Sequence, residues 1–97
     1  MHDLDELIHQ PARLRIMAAL TSLEPRAQVD FSFLKDKLDL TDGNLGAHLR
    51  ALEDAGYIAV EKTFVERRPK TFLAASATGR RAFATHVAAL QAILKSS

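Results

Sequence analysis

The 97-residue sequence has no cysteine and no tryptophan, a single tyrosine, three prolines and four glycines. Without cysteine there is no disulfide framework, no thiolate nucleophile, no zinc finger and no cysteine redox switch. Long apolar runs are missing too. The uninterrupted stretches last a few residues, against the ~20 that a membrane-spanning helix needs. The first ten residues, MHDLDELIHQ, are acidic, so no secretory signal is expected there. A soluble, cytoplasmic protein with no membrane partner is the expectation. Charge of one sign is also lacking: 13 Lys and Arg face 12 Asp and Glu, a formal net charge of +1.

Catalytic signatures are absent as well. The sequence has no phosphate-binding glycine loop, no HExxH and no nucleophile elbow. Glu53 and Asp54 are neighbours on one helix and cannot converge on a substrate. Ser22, Ser32 and Ser76 have no histidine placed for a triad. A non-enzyme is expected, with no cofactor. The histidines are His2, His9, His48 and His86, and only His2 with Asp3, Asp5 and Glu6 forms a local group, so no metal site is expected.

What is present is a foldable core. The hydrophobic fraction is 47%, and a chain of this length buries roughly 65% of its unfolded surface. One domain over residues 1–97 is expected. Leu4, Leu7 and Ile8 mark one face of a short helix at about 4–9. Gln10-Pro11 interrupts it, and Pro11 opens a second helix running to about Ser22. The wide apolar face Leu14, Ile16, Met17 and Leu20 suits a central helix. A polar loop leads to a very short strand at Val29–Phe31. Phe31, Phe33, Leu34 and Leu38 then make a two-turn helix. A turn at 40–43 precedes a longer helix that begins at Asp42, capped by Thr41 and closed by Gly56, with Leu45, Leu49 and Leu52 on its core face.

From Tyr57 to Val65 the period changes to two, with Ile58, Val60 and Phe64 alternating with Ala59, Glu61 and Thr63. This is a half-buried strand. Residues 66–70, ERRPK, read as a charged turn, and 71–75 as the returning strand of an antiparallel hairpin. Ser76 caps a last helix, about 77–95, whose seam is Phe83, Val87, Leu90 and Leu94. His86, one residue before Val87, is expected to face solvent or a helix partner. Two helices joined by a tight turn and followed by a hairpin form a winged helix-turn-helix: α+β, mostly helical, with the helix-turn-helix at about 31–55 and the wing at about 57–75.

Three strings carry a family resemblance: LTDGNLGAHLRALEDAGYI (40–58), the hairpin through RRPKT, and TGRRAF at the start of the last helix. With HQPARLRIMAAL near the N-terminus, they resemble the winged-helix transcriptional regulators of the ArsR- and MarR-like group over about residues 8–92. The resemblance implies that the helix after the turn enters the major groove, that the hairpin tip is a wing beside it, and that the terminal helices build a homodimer. The residues themselves are compatible with this. Opposite the leucine stripe of the 42–55 helix lie Gly43, Ala47, Arg50 and Asp54, flanked by Asn44, Gly46 and His48. Such a small, polar face suits a groove ~12 Å wide.

The base contacts expected are Asn44, which pairs with adenine N6 and N7, Ala47, whose methyl meets a thymine methyl, and His48, a donor. Backbone or wing contacts are expected from Thr41, Arg50, Arg67, Arg68 and Lys70. Lys62, Thr63, Arg13 and Arg15 are weaker candidates, the last two fitting internal salt bridges equally well. A solvated helix face and a solubilising turn would use the same residues. Glu66, beside the arginines, weakens any phosphate contact.

Dimerisation is expected through Leu4, Leu7, Ile8, Phe83, Val87, Leu90 and Leu94, because one small core is poorly suited to bury both terminal stripes. The expected function is sequence-specific binding of double-stranded DNA in transcription regulation. The alternative is a winged-helix protein-interaction module. A small-molecule effector pocket would lie between the dimer helices and the winged body, and no residue set marks one. The charge gradient supports DNA: residues 1–40 carry a net −2, 41–81 a net +2 and 82–97 a net +1.

Overall fold

The computed structural model describes residues 4–96. The elements are α1 (Glu6–His9), α2 (Pro11–Thr21), β1 (Val29–Asp30), α3 (Phe31–Leu38), α4 (Asp42–Asp54), β2 (Ile58–Val65), β3 (Arg68–Ala75) and α5 (Ala77–Lys95). His2 and Asp3 of the N-terminal acidic group lie outside the described residues.

Each helix start is set by a side chain that accepts from an otherwise unpaired N–H. Asp5 accepts from Ile8 N–H, Gln10 from Arg13 N–H, Asp30 from Phe33 N–H, Thr41 from Asn44 N–H and Ser76 from Gly79 N–H. α3 stops because Asp39 takes a left-handed conformation (φ 54°), which reverses the chain and lets Leu40 N–H reach the Lys35 carbonyl. α4 ends in a Schellman motif. Gly56, at φ +79°, donates to the Glu53 carbonyl, and Tyr57 N–H reaches back to Leu52.

α2 is the central helix. Ile16, Met17 and Leu20 are buried, and α2 touches α1, α3, α4, α5 and β3. Leu34 and Leu38 from α3, the stripe Leu45, Leu49 and Leu52 from α4, and Ile58 and Leu73 from the sheet complete the core around it. The sheet is antiparallel, in the order β1-β3-β2. β1 pairs only with Leu73 and Phe72, while β2 and β3 run side by side from Ile58↔Ala75 to Val65↔Arg68.

Three expectations are corrected. The hairpin turn is two residues long, Glu66 and Arg67, rather than five, and β3 starts at Arg68. Both turn residues have positive φ, 53° and 69°, the geometry that matches the twist of paired strands. Neither is glycine, so the turn left no glycine signal in the sequence. Phe64 does not face a core. It is 72% exposed, because the strands outrun the helices that cover their base.

The third correction concerns His86 on α5. The buried positions of this helix are Gly79, His86 and Ala89, with Ala82 and Phe83 packed against the core. The stripe expected to pair between copies lies beside this face and is not used up by the core: Phe83, Val87 and Leu90 are half-buried and Leu94 is exposed. Close approach explains which face of α5 meets the core. A Cβ on Gly79 would sit 2.0 Å from the Tyr57 carbonyl oxygen, so the side of α5 nearest the sheet carries small residues. His86, expected outside, has no exposed surface. Its Nδ1 accepts from Asp5 N–H at 3.0 Å, and its ring meets the edge of His9. Asp5 also accepts from the Tyr57 hydroxyl, so α1, α5 and the start of β2 are tied together. Ile8 is wholly buried in this core and has no surface left for a partner.

Candidate nucleic-acid interface

α4 lies on the core by its leucine stripe, and this fixes what it shows outward. Asp42, Gly43, Asn44, Ala47 and Arg50 are exposed, and His48 is half-buried. Asn44 is held at the first turn by the Thr41 cap, with Thr41 Oγ1 accepting Asn44 N–H at 3.1 Å. The Thr41 hydroxyl proton stays free to donate. Asp42 pairs with Lys35 of α3 at 3.1 Å. This clasps the two helices and places a cation at the mouth of the turn.

His48 has a partner that the sequence did not suggest. Arg13 Nη1 lies 3.2 Å from His48 Nδ1, while Arg13 Nε donates to the Leu7 carbonyl at 2.6 Å. A guanidinium only donates, so Nδ1 accepts and the ring proton sits on Nε2. Burial, and then the Arg13 charge, hold the His48 pKa below its ordinary value. The ring is thus a neutral donor through Nε2, suited to a base acceptor or a phosphate oxygen.

The wing is the other part. Arg67 is at the tip and Arg68 opens β3; both are exposed. Between α4 and the hairpin runs a groove of about 240 Å³, lined by Gly46, Leu49, Arg50, Val60, Lys62 and Thr71. Arg50 and Lys62 stand on its opposite walls.

Lys70 is not at the tip. Its ammonium donates to Asp30 Oδ2 at 3.0 Å, and Asp30 also caps α3. The Phe33 N–H, and then the Lys70 ammonium, hold the Asp30 carboxyl below its ordinary pKa. Lys70 therefore braces β3 against α3. Two cations outside the wing are similarly engaged, and with backbone carbonyls rather than acids. Arg15 donates to the Leu38 carbonyl. Arg80 donates to the carbonyls of Thr21, Leu23 and Glu24 at the end of α2, so the basic start of α5 is partly structural. Sequence reasoning missed Lys35 as a surface cation, because its place beside Asp42 depends on the turn at Asp39.

A helical bundle whose helix-turn-helix shows a small, polar second helix, with an antiparallel hairpin projecting beside it, defines a winged helix protein. The chain belongs to the winged helix DNA-binding domain family, whose model matches residues 12–94. It is 37% identical over 82 residues to the uncharacterized protein MJ0432 of Methanocaldococcus jannaschii, covering 84% of this chain and 86% of that one. Among solved structures, it is similar to a transcriptional regulator homologue from Pyrococcus horikoshii (TM-score 0.85, 30% identity, 95% of this chain and 88% of the other). HlyU from Vibrio cholerae shares the fold at TM-score 0.61 and 19% identity, over 81% of this chain and 78% of its own. NadR, solved in complex with 4-hydroxyphenylacetate, shares it at TM-score 0.70 and 20% identity, over 94% of this chain and 64% of its own. The protein is a DNA-binding domain of the transcription-regulator type. Among the described residues, no helix is long and apolar enough to cross a membrane.

Proposed function

We propose that this protein is a sequence-specific regulator of transcription that binds duplex DNA as a homodimer, with α4 in the major groove and the hairpin alongside. The observation that carries the reading is the outward face of α4: Asn44, Ala47 and the Nε2 donor of His48 stand on one side, next to a wing whose free cations are Arg67 and Arg68. Asn44, Ala47 and His48 are assigned to base edges. Thr41, Arg50, Arg67 and Arg68 are assigned to phosphates, and Lys35 joins them. Lys70 is left to Asp30.

Leu4, Leu7, Phe83, Val87, Leu90 and Leu94 are assigned to the dimer contact. α5 supports this. The molecule is 53 Å in its longest dimension and about half that in the others, and Leu94, near the far end of α5, is 72% exposed. A twofold pairing there would set two copies of α4 about 34 Å apart, one duplex turn.

Selection of bound duplexes from a random library, followed by a salt titration, tests the reading. A recovered site with two half-sites about one turn apart is expected. Affinity should fall roughly 10³-fold between 50 and 200 mM salt if six or more phosphates are contacted. Failure of every duplex to bind at low salt would hand the surface to a protein partner instead. Sedimentation of a species of about 11 kDa at tens of micromolar would refute the dimer, since the chain itself is 10.7 kDa.

A further inference from the structure

The outer half of the hairpin carries something that phosphate contacts do not need. From Lys62 to Pro69 every residue is exposed, and the rungs Lys62↔Thr71 to Val65↔Arg68 lead out to the turn. At ~3.4 Å per residue this arm reaches roughly 10 Å beyond the covered part of the sheet. Phe64 on it is 72% exposed and Val65 41%. An exposed phenylalanine on a free-standing arm gains nothing within the fold, and its setting is specific.

Side chains alternate along a strand, so Phe64 shares the face of Val60 and Lys62. That face is turned to α4, because Val60 and Lys62 line the groove beside it. Across the ladder stands Pro69. With a two-residue turn, Val65↔Arg68 is the closing bonded pair, and Phe64↔Pro69 is the closer, non-bonded one. The N–H that proline lacks falls on the free edge of β3, since β1 pairs only with Leu73 and Phe72. The two rings therefore make a short apolar edge on the α4 side of the arm. Lys62 lies two residues to one side, and Arg67 and Arg68 lie at the tip.

We propose that Phe64, backed by Pro69, is a minor-groove wedge that opens one base step beside the site read by α4 and bends the duplex. This rests on the DNA-binding reading above. Charge complementarity selects the occupant. Among residues 62–69 the three cations Lys62, Arg67 and Arg68 face one acid, Glu66, so an apolar protein patch would leave most of that charge without counter-charges. A minor groove, about 6 Å wide, has apolar sugar walls for one ring and phosphate rims for the cations. The wedge adds readout by deformability: the step it opens should be a pyrimidine–purine step, the most easily unstacked kind, at a position that α4 does not touch.

The test uses the full chain and a duplex of about 30 base pairs recovered by selection, end-labelled for energy transfer and carrying 2-aminopurine at successive flanking positions. Wild type should bend it and brighten 2-aminopurine at one step. Phe64→Ala should keep the wild-type melting temperature and sedimentation, leave that step dim, lose the bend and bind roughly tenfold more weakly, about 1.4 kcal/mol. Phe64→Leu should retain most of each effect, since leucine also serves as a wedge. If wild type binds while Phe64→Ala bends and binds like it, the wedge is wrong and the DNA reading stands. A change in sedimentation caused by Phe64→Ala also overturns the wedge, because it makes Phe64 a contact between copies. If wild type binds no duplex, both readings fall together.

Discussion

The inner joint and the outer edge of this molecule use the same kinds of residue for opposite purposes. At the joint, where α1, α5 and the start of β2 meet, Asp5, His86 and Tyr57 face one another, and around α2 the side chains of Arg13, Arg15 and Arg80 tie it to α1, α3 and α5 by donating to backbone carbonyls. At the edge, Asn44, Arg50, Arg67 and Arg68 are exposed and make no contact that the fold needs. The difference shows how a net charge of +1 is distributed: some cations are used inside the fold, and others stand exposed on the side proposed for DNA. Three of the eight arginines, Arg13, Arg15 and Arg80, tie helices together, while Arg50, Arg67 and Arg68 on α4 and the wing are exposed. Changes at the joint should therefore cost stability and spare base readout, and changes at the edge should do the reverse.

Gly79→Ala is the strongest way to break the joint. The new Cβ would meet the Tyr57 carbonyl oxygen at 2.0 Å and its carbon at 2.8 Å. This is backbone, which cannot swing aside like a side chain. A loss of about 3 kcal/mol is expected, roughly a 15 °C drop in melting temperature for a domain of this size. The fraction that remains folded in the cold should bind DNA normally. A melting temperature within a few degrees of wild type would mean that α5 rides further from β2 than described.

At the edge the expected effects are on DNA, and they differ in kind. Asn44→Ala should lose about 1–3 kcal/mol of discrimination at one base pair while stability barely moves. Arg68→Ala should weaken specific and random duplexes alike and reduce the salt slope by about one. Equal losses on both kinds of DNA for Asn44→Ala would remove it from the base-reading set.

The same contrast marks what was legible in the sequence. The Thr41 cap, the Leu45, Leu49 and Leu52 stripe and the Gly56 stop are local signals, set within one helix. They placed α4, and with it Asn44 and Ala47. The features that stayed hidden have distant partners. Lys70 meets Asp30 forty residues away, Arg80 reaches Thr21 across 59, and His86 binds Asp5 across 81. The inward face of α5 has the same origin. Periodicity marked the stripe Phe83, Val87, Leu90 and Leu94, whereas the contact between Gly79 and Tyr57 set which face turns to the core. The wing tip hid for another reason: a type of turn that favours glycine is here made by Glu66 and Arg67.

The joint should also respond to pH. Burial, and then the His9 charge, lower the His86 pKa from its ordinary 6.5, with Asp5 pulling the other way. Protonation would place a proton on Nδ1, which accepts Asp5 N–H. A lowered folded pKa means that the unfolded chain takes up protons first as acidity rises. The stabilising contribution is complete above pH 6.5 and is lost as pH falls below it toward the folded pKa. Urea unfolding at pH 7.5 and pH 5.5 should show this fall, and His86→Gln, which keeps an acceptor but does not titrate, should flatten it. Some slope should survive in that variant, because the His48 pKa is lowered too. An unchanged slope would move the titration away from the joint.

The smallest effect is the most discriminating between joint and edge, because it concerns a cation beside the wing arginines in sequence. The Lys70 side chain is 42% exposed although it pairs with Asp30, and solvent screening limits such a pair to about 0.5 kcal/mol. Lys70→Ala should therefore lower stability slightly and leave the salt slope of DNA binding as in wild type, whereas Arg68→Ala lowers the slope. The stability loss should itself vanish in acid once Asp30 is protonated. Its folded pKa lies below the ordinary 3.8, so the pair contributes above that value and is lost as pH falls through the folded one. A reduced salt slope for Lys70→Ala would show that DNA draws Lys70 off Asp30, and would return it to the phosphate-binding set.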